Sequence, residues 1–234
     1  MKYLITVFAL VLATMTFAQK DVTKFLGIPV DGTKAEMMQK LKAKGFVLKN
    51  IGDTEYLEGE FNGTDVKVFI VTYKNKGYRI MLSDKHNQNE SNIKIRFNNL
   101  VEQFKNNKRY LSLGDYTLSE FEDISYEMRI NKKNYDAYFL QIPDMDMLQL
   151  DTLAIGEQFR NEFLKKYTPE QLEKPSEEMT QDLKSIAQSI ATRVSADIML
   201  KKPVWFRICK SFDDEYYIAM FYDNEYNKPN GEDL

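Results

Sequence analysis

Two periodicities alternate along this chain, and their order predicts its elements. Between Thr64 and Tyr73, Val66, Val68 and Ile70 alternate with Asp65, Lys67 and Phe69, the period of two that marks a half-buried strand. Tyr56–Phe61 precedes it across Asn62-Gly63, the pair best suited to a type I′ hairpin because both central residues need positive φ. Lys74-Asn75-Lys76-Gly77 turns the chain again into Tyr78–Ser83, where Tyr78, Ile80 and Leu82 share a face. A polar loop, Asp84–Glu90, closes this meander.

Helical spacing brackets it. Thr33-Lys34-Ala35-Glu36 is a capping box, with Ala35, Met38 and Leu41 following and Gly45 placed to end the helix in a left-handed cap. Ile93, Phe97, Leu100, Val101 and Phe104 mark a second helix. Upstream, Phe25–Val30 reads as an extended lead-in, since Pro29 keeps Ile28 out of the helical region.

The second half repeats part of this grammar. Ile124–Ile130 and Tyr135–Ile142 read as strands on either side of Asn131-Lys132-Lys133-Asn134. A helix is predicted over 154–167, broken at Thr168-Pro169. A longer one follows Pro175, its face marked by Met179, Leu183, Ile186, Ile190, Val194 and Ile198, and stops before Pro203. Val204–Phe212 and Glu215–Tyr222 form a last hairpin across Asp213-Asp214, and 223–234 reads as a polar tail. Hairpins interleaved with amphipathic helices predict an α+β fold, with antiparallel sheet and helices packed on one face. The expected organisation is a single domain over 19–222, with two related lobes, 23–110 and 111–222, as a further possibility.

The first eighteen residues stand apart. Lys2, the apolar run Tyr3–Val11, and Thr16-Phe17-Ala18 before Gln19 have the order of a cleavable signal peptide. The expectation is export, with cleavage near Ala18. Removing residues 1–18 from the 234 leaves 216, and losing one lysine and no acid takes the net charge from −3 to −4. That charge offers no basic patch for nucleic acid. No later apolar run approaches the roughly 20 residues that span a bilayer, so no stable membrane insertion is expected after cleavage. No cysteine follows the cleavage point for lipid attachment, and Cys209, alone in the chain, forbids an internal disulfide. A soluble periplasmic protein fits best.

Catalytic inventories are thin. His86, the one histidine, sits in a polar loop and reads as solvated. A zinc site wants several His or Cys ligands, and a Ser-His-Asp triad has no G-x-S-x-G elbow to present its serine. Cys209, alternating with Trp205 and Arg207 on a strand, reads as a structural thiol lacking an activating partner. Phosphate-binding glycine loops are absent. Asp144-Met145-Asp146 with Asp151 has a faint likeness to a calcium loop without its turn glycine or closing glutamate. No catalytic, cofactor-binding or metal residue is therefore assigned. Two carboxylates suffice for glycoside hydrolysis, but 35 acids give no way to single out a pair. Aromatics are the other surplus: 15 Phe, 14 Tyr and one Trp. Tyr56, Tyr73, Tyr78, Tyr126, Tyr135, Tyr138, Tyr216, Tyr217 and Tyr222 all fall on predicted strands. Strand aromatics serve cores, and on an uncovered face they serve binding.

The order Phe25-Leu26-Gly27-Ile28-Pro29-Val30-Asp31-Gly32-Thr33, Tyr56-Leu57-Glu58-Gly59-Glu60-Phe61, Tyr222-Asp223-Asn224 and Asn230-Gly231-Glu232-Asp233-Leu234 resembles a family of exported, functionally uncharacterised proteins of gut Bacteroidetes-type bacteria. The resemblance implies a periplasmic α+β protein and carries no catalytic residue across. The leading expectation is a non-catalytic binding module for a protein or glycan, using an open sheet face. The alternative is a carboxylate-dependent hydrolase acting on glycan or cell-wall material.

Overall fold

An eight-stranded antiparallel sheet organises the protein, seen in a computed structural model that describes residues 21–143, 152–168, 171 and 176–229. Its strands are β3 (Val47–Ile51), β4 (Thr54–Phe61), β5 (Thr64–Tyr73), β6 (Lys76–Asp84), β7 (Tyr110–Ser112), β8 (Asp136–Gln141), β9 (Pro203–Lys210) and β10 (Tyr216–Asp223). They lie in the order β3-β4-β5-β6-β10-β9-β8-β7. The first four and the last four thus form two meanders, joined where β6 pairs with β10. Each is preceded by a helix, α1 (Lys34–Ala43) or α2 (Glu90–Asn106). Both helices pack on one face, α1 against β4–β6 and α2 against β7, β9 and β10. This is the α+β architecture that the periodicities predict.

Local chemistry explains why these elements form. At α1, Thr33 accepts from the Glu36 amide while the Glu36 carboxylate accepts from the Thr33 amide, so the capping box is complete. At the other end Gly45 takes φ +96°. Its N–H donates to Lys42 and that of Phe46 to Leu41, the paired bonds of a Schellman cap. Asn62 and Gly63 both take positive φ, as the type I′ turn requires, and so do Lys74 and Asn75 in the next hairpin. Under α2, Ile93, Phe97, Leu100, Val101 and Phe104 are all buried. Phe97 and Phe104 meet Phe206 edge-on and tilted, at 5.2 and 5.7 Å between ring centroids.

Several expectations need correction. Ile124–Ile130 is not a strand: Ile124–Arg129 is a short helix, α3, whose N-cap Asp123 accepts from the Tyr126 amide. Ile124 and Met128 pack on the core while Tyr126 and Ile130 are exposed. Apolar residues at 124, 126, 128 and 130 satisfy either period, and the cap decided for helix. β8 therefore has no hairpin with that segment and pairs with β7 and β9 instead. The lead-in closes into a two-stranded hairpin, β1 (Lys24–Phe25) and β2 (Ile28–Pro29), through Leu26 and Gly27 at positive φ. Nor does the polar tail begin free of the fold. Asp223 ends β10, and the fully buried Asn224 donates to the Val30 carbonyl at 2.8 Å. Asn227 likewise donates to the Gly77 carbonyl at 2.9 Å.

Among the described residues, 22–143 and 195–229 make one compact unit, and 152–168, 171 and 176–194 belong to a second. Within the second, α4 (Thr152–Leu164) and the beginning of α5 (Glu177–Leu200) are tied where Lys166 and Tyr167 both donate to Asp182. Arg193 donates to Gln158 at 3.0 Å. The expected break at Pro169, the Asp144–Asp151 segment and the signal segment lie outside the described residues.

Candidate functional site

Strand alternation sends half of each strand's side chains away from α1 and α2. On that outer face the register aligns residues from six strands into one transverse row. Phe69 lies opposite Met81, Met81 opposite Phe221, Phe221 opposite Trp205 and Trp205 opposite Tyr138. Tyr56 extends the row at the β4 end by stacking on Phe69 at 5.5 Å. Trp205 stacks on Phe221 at 4.0 Å and on Tyr138 at 5.6 Å, with interplanar angles of 18° and 17°. The rings therefore cover one another's faces and turn their edges outward. Tyr138 is 38% exposed, Trp205, Phe69 and Met81 are half-buried, and Phe221 and Tyr56 are buried.

Two arginine–aspartate pairs bracket the row. Arg79 donates to Asp223 through Nε at 2.6 Å and Nη2 at 2.8 Å, a bidentate pair across the β6–β10 seam. Its guanidinium lies 4.9 Å from the Phe221 ring centroid and 5.7 Å from that of Trp205. Asp223 also accepts from Trp205 Nε1 at 3.0 Å, which fixes the indole. On the other side Arg207, 5.3 Å from the Trp205 ring, holds Asp136 through Nε at 2.8 Å and Nη2 at 3.0 Å. These hydrogen bonds raise both guanidinium pKa values above the ordinary arginine value. Each pair is internally neutral, so this part of the face presents dipoles and ring edges rather than net charge.

The tyrosines singled out from the sequence separate sharply. Tyr56, Tyr138 and Tyr217 lie on the outer face, whereas Tyr216 and Tyr222 are buried core residues. Burial raises the Tyr222 hydroxyl pKa well above that of a free tyrosine. Tyr126 is on α3, and Tyr135 is buried just before β8 with its hydroxyl on Glu122. The sequence reading missed Phe69, Met81, Phe221 and both arginine–aspartate pairs. Alternation of Trp205, Arg207 and Cys209 along β9 was the available signal; the cross-strand partners were not.

Of the catalytic candidates among the described residues, only Glu58 and Asp65 share a groove, of about 320 Å³, and there Lys85 holds the Glu58 carboxyl below the usual carboxylate range. His86 is exposed in its loop, 3.8 Å from Asp65. Cys209 is half-buried, and burial pushes its thiol pKa up rather than activating it. Among the described residues no cluster of His, Cys, Asp or Glu could hold a metal ion. Every described carboxylate with a displaced pKa is displaced downward, by hydrogen bonds from Thr33 at Glu36 and from lysines at Glu58, Asp115, Glu122, Glu162, Asp182 and Asp214. A glycosidic general acid needs the opposite shift. A groove of about 310 Å³ beside α2 is lined mainly by carboxamides, including Asn62, Gln88, Asn92, Asn99 and Gln103, and brings no acid pair together. Comparison with protein-family models, curated proteins and solved structures finds no match for this chain.

Proposed function

We propose that this chain is an exported, non-catalytic interaction module that binds a protein partner through the outer face of its sheet. The row from Tyr56 to Tyr138, locked by Asp223 and Asp136, is the observation that carries the reading. Tyrosine and tryptophan held in one conformation offer broad contact area with little side-chain entropy left to lose. The mutual stacking also favours protein over glycan. A sugar ring would stack on a free aromatic face, and Trp205 has spent both of its faces on Phe221 and Tyr138. Ring edges flanked by neutral ion pairs suit the mixed surface of a folded protein. Export is supported by the order of residues 1–18, and the downward carboxylate shifts favour binding over hydrolysis.

The test uses the chain's only tryptophan as reporter. The mature protein and a Tyr138→Glu/Met81→Lys variant, matched in thermal midpoint, are used as baits in envelope extract. A partner held by the wild type and lost by the variant is expected, and in the purified complex acrylamide should quench Trp205 less. Identical captures by both baits would refute the reading, as would a complex that leaves Trp205 quenching unchanged.

A further inference from the structure

The sheet ends at β3, and this edge is built differently from the other. The turn Gly52-Asp53, with Gly52 at φ +56°, closes β3 on β4 through the pair Ile51–Thr54. A two-residue hairpin bonds its closing pair and every second pair after it. Ile51, Lys49 and Val47 thus bond to β4, while the N–H and C=O groups of Leu48 and Asn50 point off the edge. Edges of this kind are ordinarily blunted by shortness, bulges, proline or a lysine, and β3 carries the last of these in Lys49, which repels a like-charged strand and leaves the edge open to an acidic one. The opposite edge strand, β7, has three residues. β3 has five, pairs without a register break and contains no proline.

Its side chains define what could lie against it. Leu48 turns toward the core, leaving Val47, Lys49 and Ile51 on the outer face, with Val47 56% and Ile51 54% exposed. Lys49 stands between these two apolar residues. Lys40, Lys42 and Lys44 belong to the end of α1 that leads into β3. Among the described residues none of these four lysines has a carboxylate within ion-pair distance; Glu58 is held by Lys85 at 3.1 Å and feels Lys49 only at longer range, and Glu55 is held by Lys34 at 3.6 Å. In a chain of net charge −3 this is a local basic border.

We propose that β3 accepts an extended segment of a partner polypeptide as a further strand, with an acidic side chain opposite Lys49 and apolar side chains two residues to either side. The outward groups of Leu48 and Asn50 supply the main-chain hydrogen bonds, and Val47 and Ile51 cover the flanking apolar residues. A second copy of this chain fits poorly. Antiparallel pairing of β3 with itself over its full length is centred on residue 49 and sets Lys49 against Lys49, where opposed like charges destabilise. The proposal does not rest on the outer-face row and would survive its failure.

Two synthetic peptides with the cores Val-Thr-Glu-Thr-Val and Val-Thr-Lys-Thr-Val are titrated into the isotopically labelled mature protein. The acidic peptide should shift the Leu48 and Asn50 amide resonances and leave those of β7 in place. Lys49→Glu should weaken that binding by about fivefold and transfer preference to the lysine peptide. Asn50→Pro removes an outward donor without touching a β3–β4 bond, so binding should be lost while Trp205 emission stays unchanged. If the proline variant misfolds, the charge reversal alone decides. Charge-blind binding, shifts confined to other strands, no shift at saturating peptide, or a dimer that Lys49→Glu alters would each overturn the proposal.

Discussion

Replacing Asp84 should show how the two meanders are held together on the helix side. Asp84 ends β6, and its carboxylate is almost wholly buried, at 1% side-chain exposure. It accepts from Arg96 Nε at 2.7 Å, from Arg96 Nη2, and from the Ile218 amide of β10 at 3.0 Å. Arg96, on α2, is itself 12% exposed and donates to Thr64 at 2.9 Å. One carboxylate thus joins β6 to β10 and, through Arg96, to α2 and β5. Asp84→Asn keeps an acceptor for Ile218 but leaves the guanidinium buried and unpaired, a loss of about 3–5 kcal/mol when one partner of a buried pair is removed. For a chain of this size each kcal/mol is worth about 2–4 °C, so the midpoint should fall by roughly 10 °C. Arg96→Met alone strands the carboxylate and should cost a similar amount.

Asp84→Asn with Arg96→Met removes both charges and keeps the acceptor for the Ile218 amide, so only neutral groups, the new carboxamide and the Thr64 hydroxyl, lose a partner, at about 1–3 kcal/mol. The double variant should therefore be more stable than the sum of the singles allows. Urea unfolding followed by Trp205 fluorescence and far-ultraviolet circular dichroism measures the three variants. A coupling energy under about 0.5 kcal/mol, the range for independent sites, would refute the assignment of Asp84 and Arg96 as one unit.

Other perturbations have equally definite expectations. A Cβ added at Gly59 would stand 2.5 Å from the Phe46 ring, so Gly59→Ala should destabilise by about 1–3 kcal/mol, and wild-type stability in urea would count against it. Lys105 and Thr117 hold the Asp115 carboxyl down to about 2. Its contribution is therefore present above the free value near 3.8 and lost as pH falls through about 2. A carboxyl NMR titration with its midpoint near 3.8 would contradict this. The Cys209 thiol, raised by burial, should react with iodoacetamide at neutral pH far more slowly in the native protein than in urea, and equal rates would show the site to be open. On the proposed export, amino-terminal sequencing of the protein recovered from expressing cells should begin at Gln19, and an intact Met1 would exclude cleavage.

What was legible depended on whether a decision was local. The α1 cap, the Asn62-Gly63 turn and the buried stripe of α2 each rest on residues a few positions apart, and each lies where the pattern placed it. α3 failed because Ile124 and Met128 suit period two and period four alike, and only the Asp123 cap separates the readings. β3 escaped notice because four of its five residues are exposed, so burial imposes no alternation on it. The outer-face row was illegible for a deeper reason. Its six residues come from six strands, and only cross-strand register, closed over long chain separations, sets Met81 beside Phe221.

That dependence on register ties the candidate site to the seam. On the helix side Asp84 of β6 accepts from the Ile218 amide of β10; on the outer side Arg79 of β6 grips Asp223 of β10, which in turn holds Trp205 of β9. Met81 and Phe221 meet between these two clamps. Neither meander alone contains the row: the first half supplies Tyr56, Phe69 and Met81, the second Phe221, Trp205 and Tyr138. The indole is oriented by an aspartate whose charge is balanced from the other half of the sheet. If the outer face binds a partner as proposed, freeing Arg79 from Asp223 would loosen the ring that the partner meets, and affinity would fall through mobility as well as through contact. The outer-face row needs no cleft to be rigid, because its rigidity comes from the joint between the two halves.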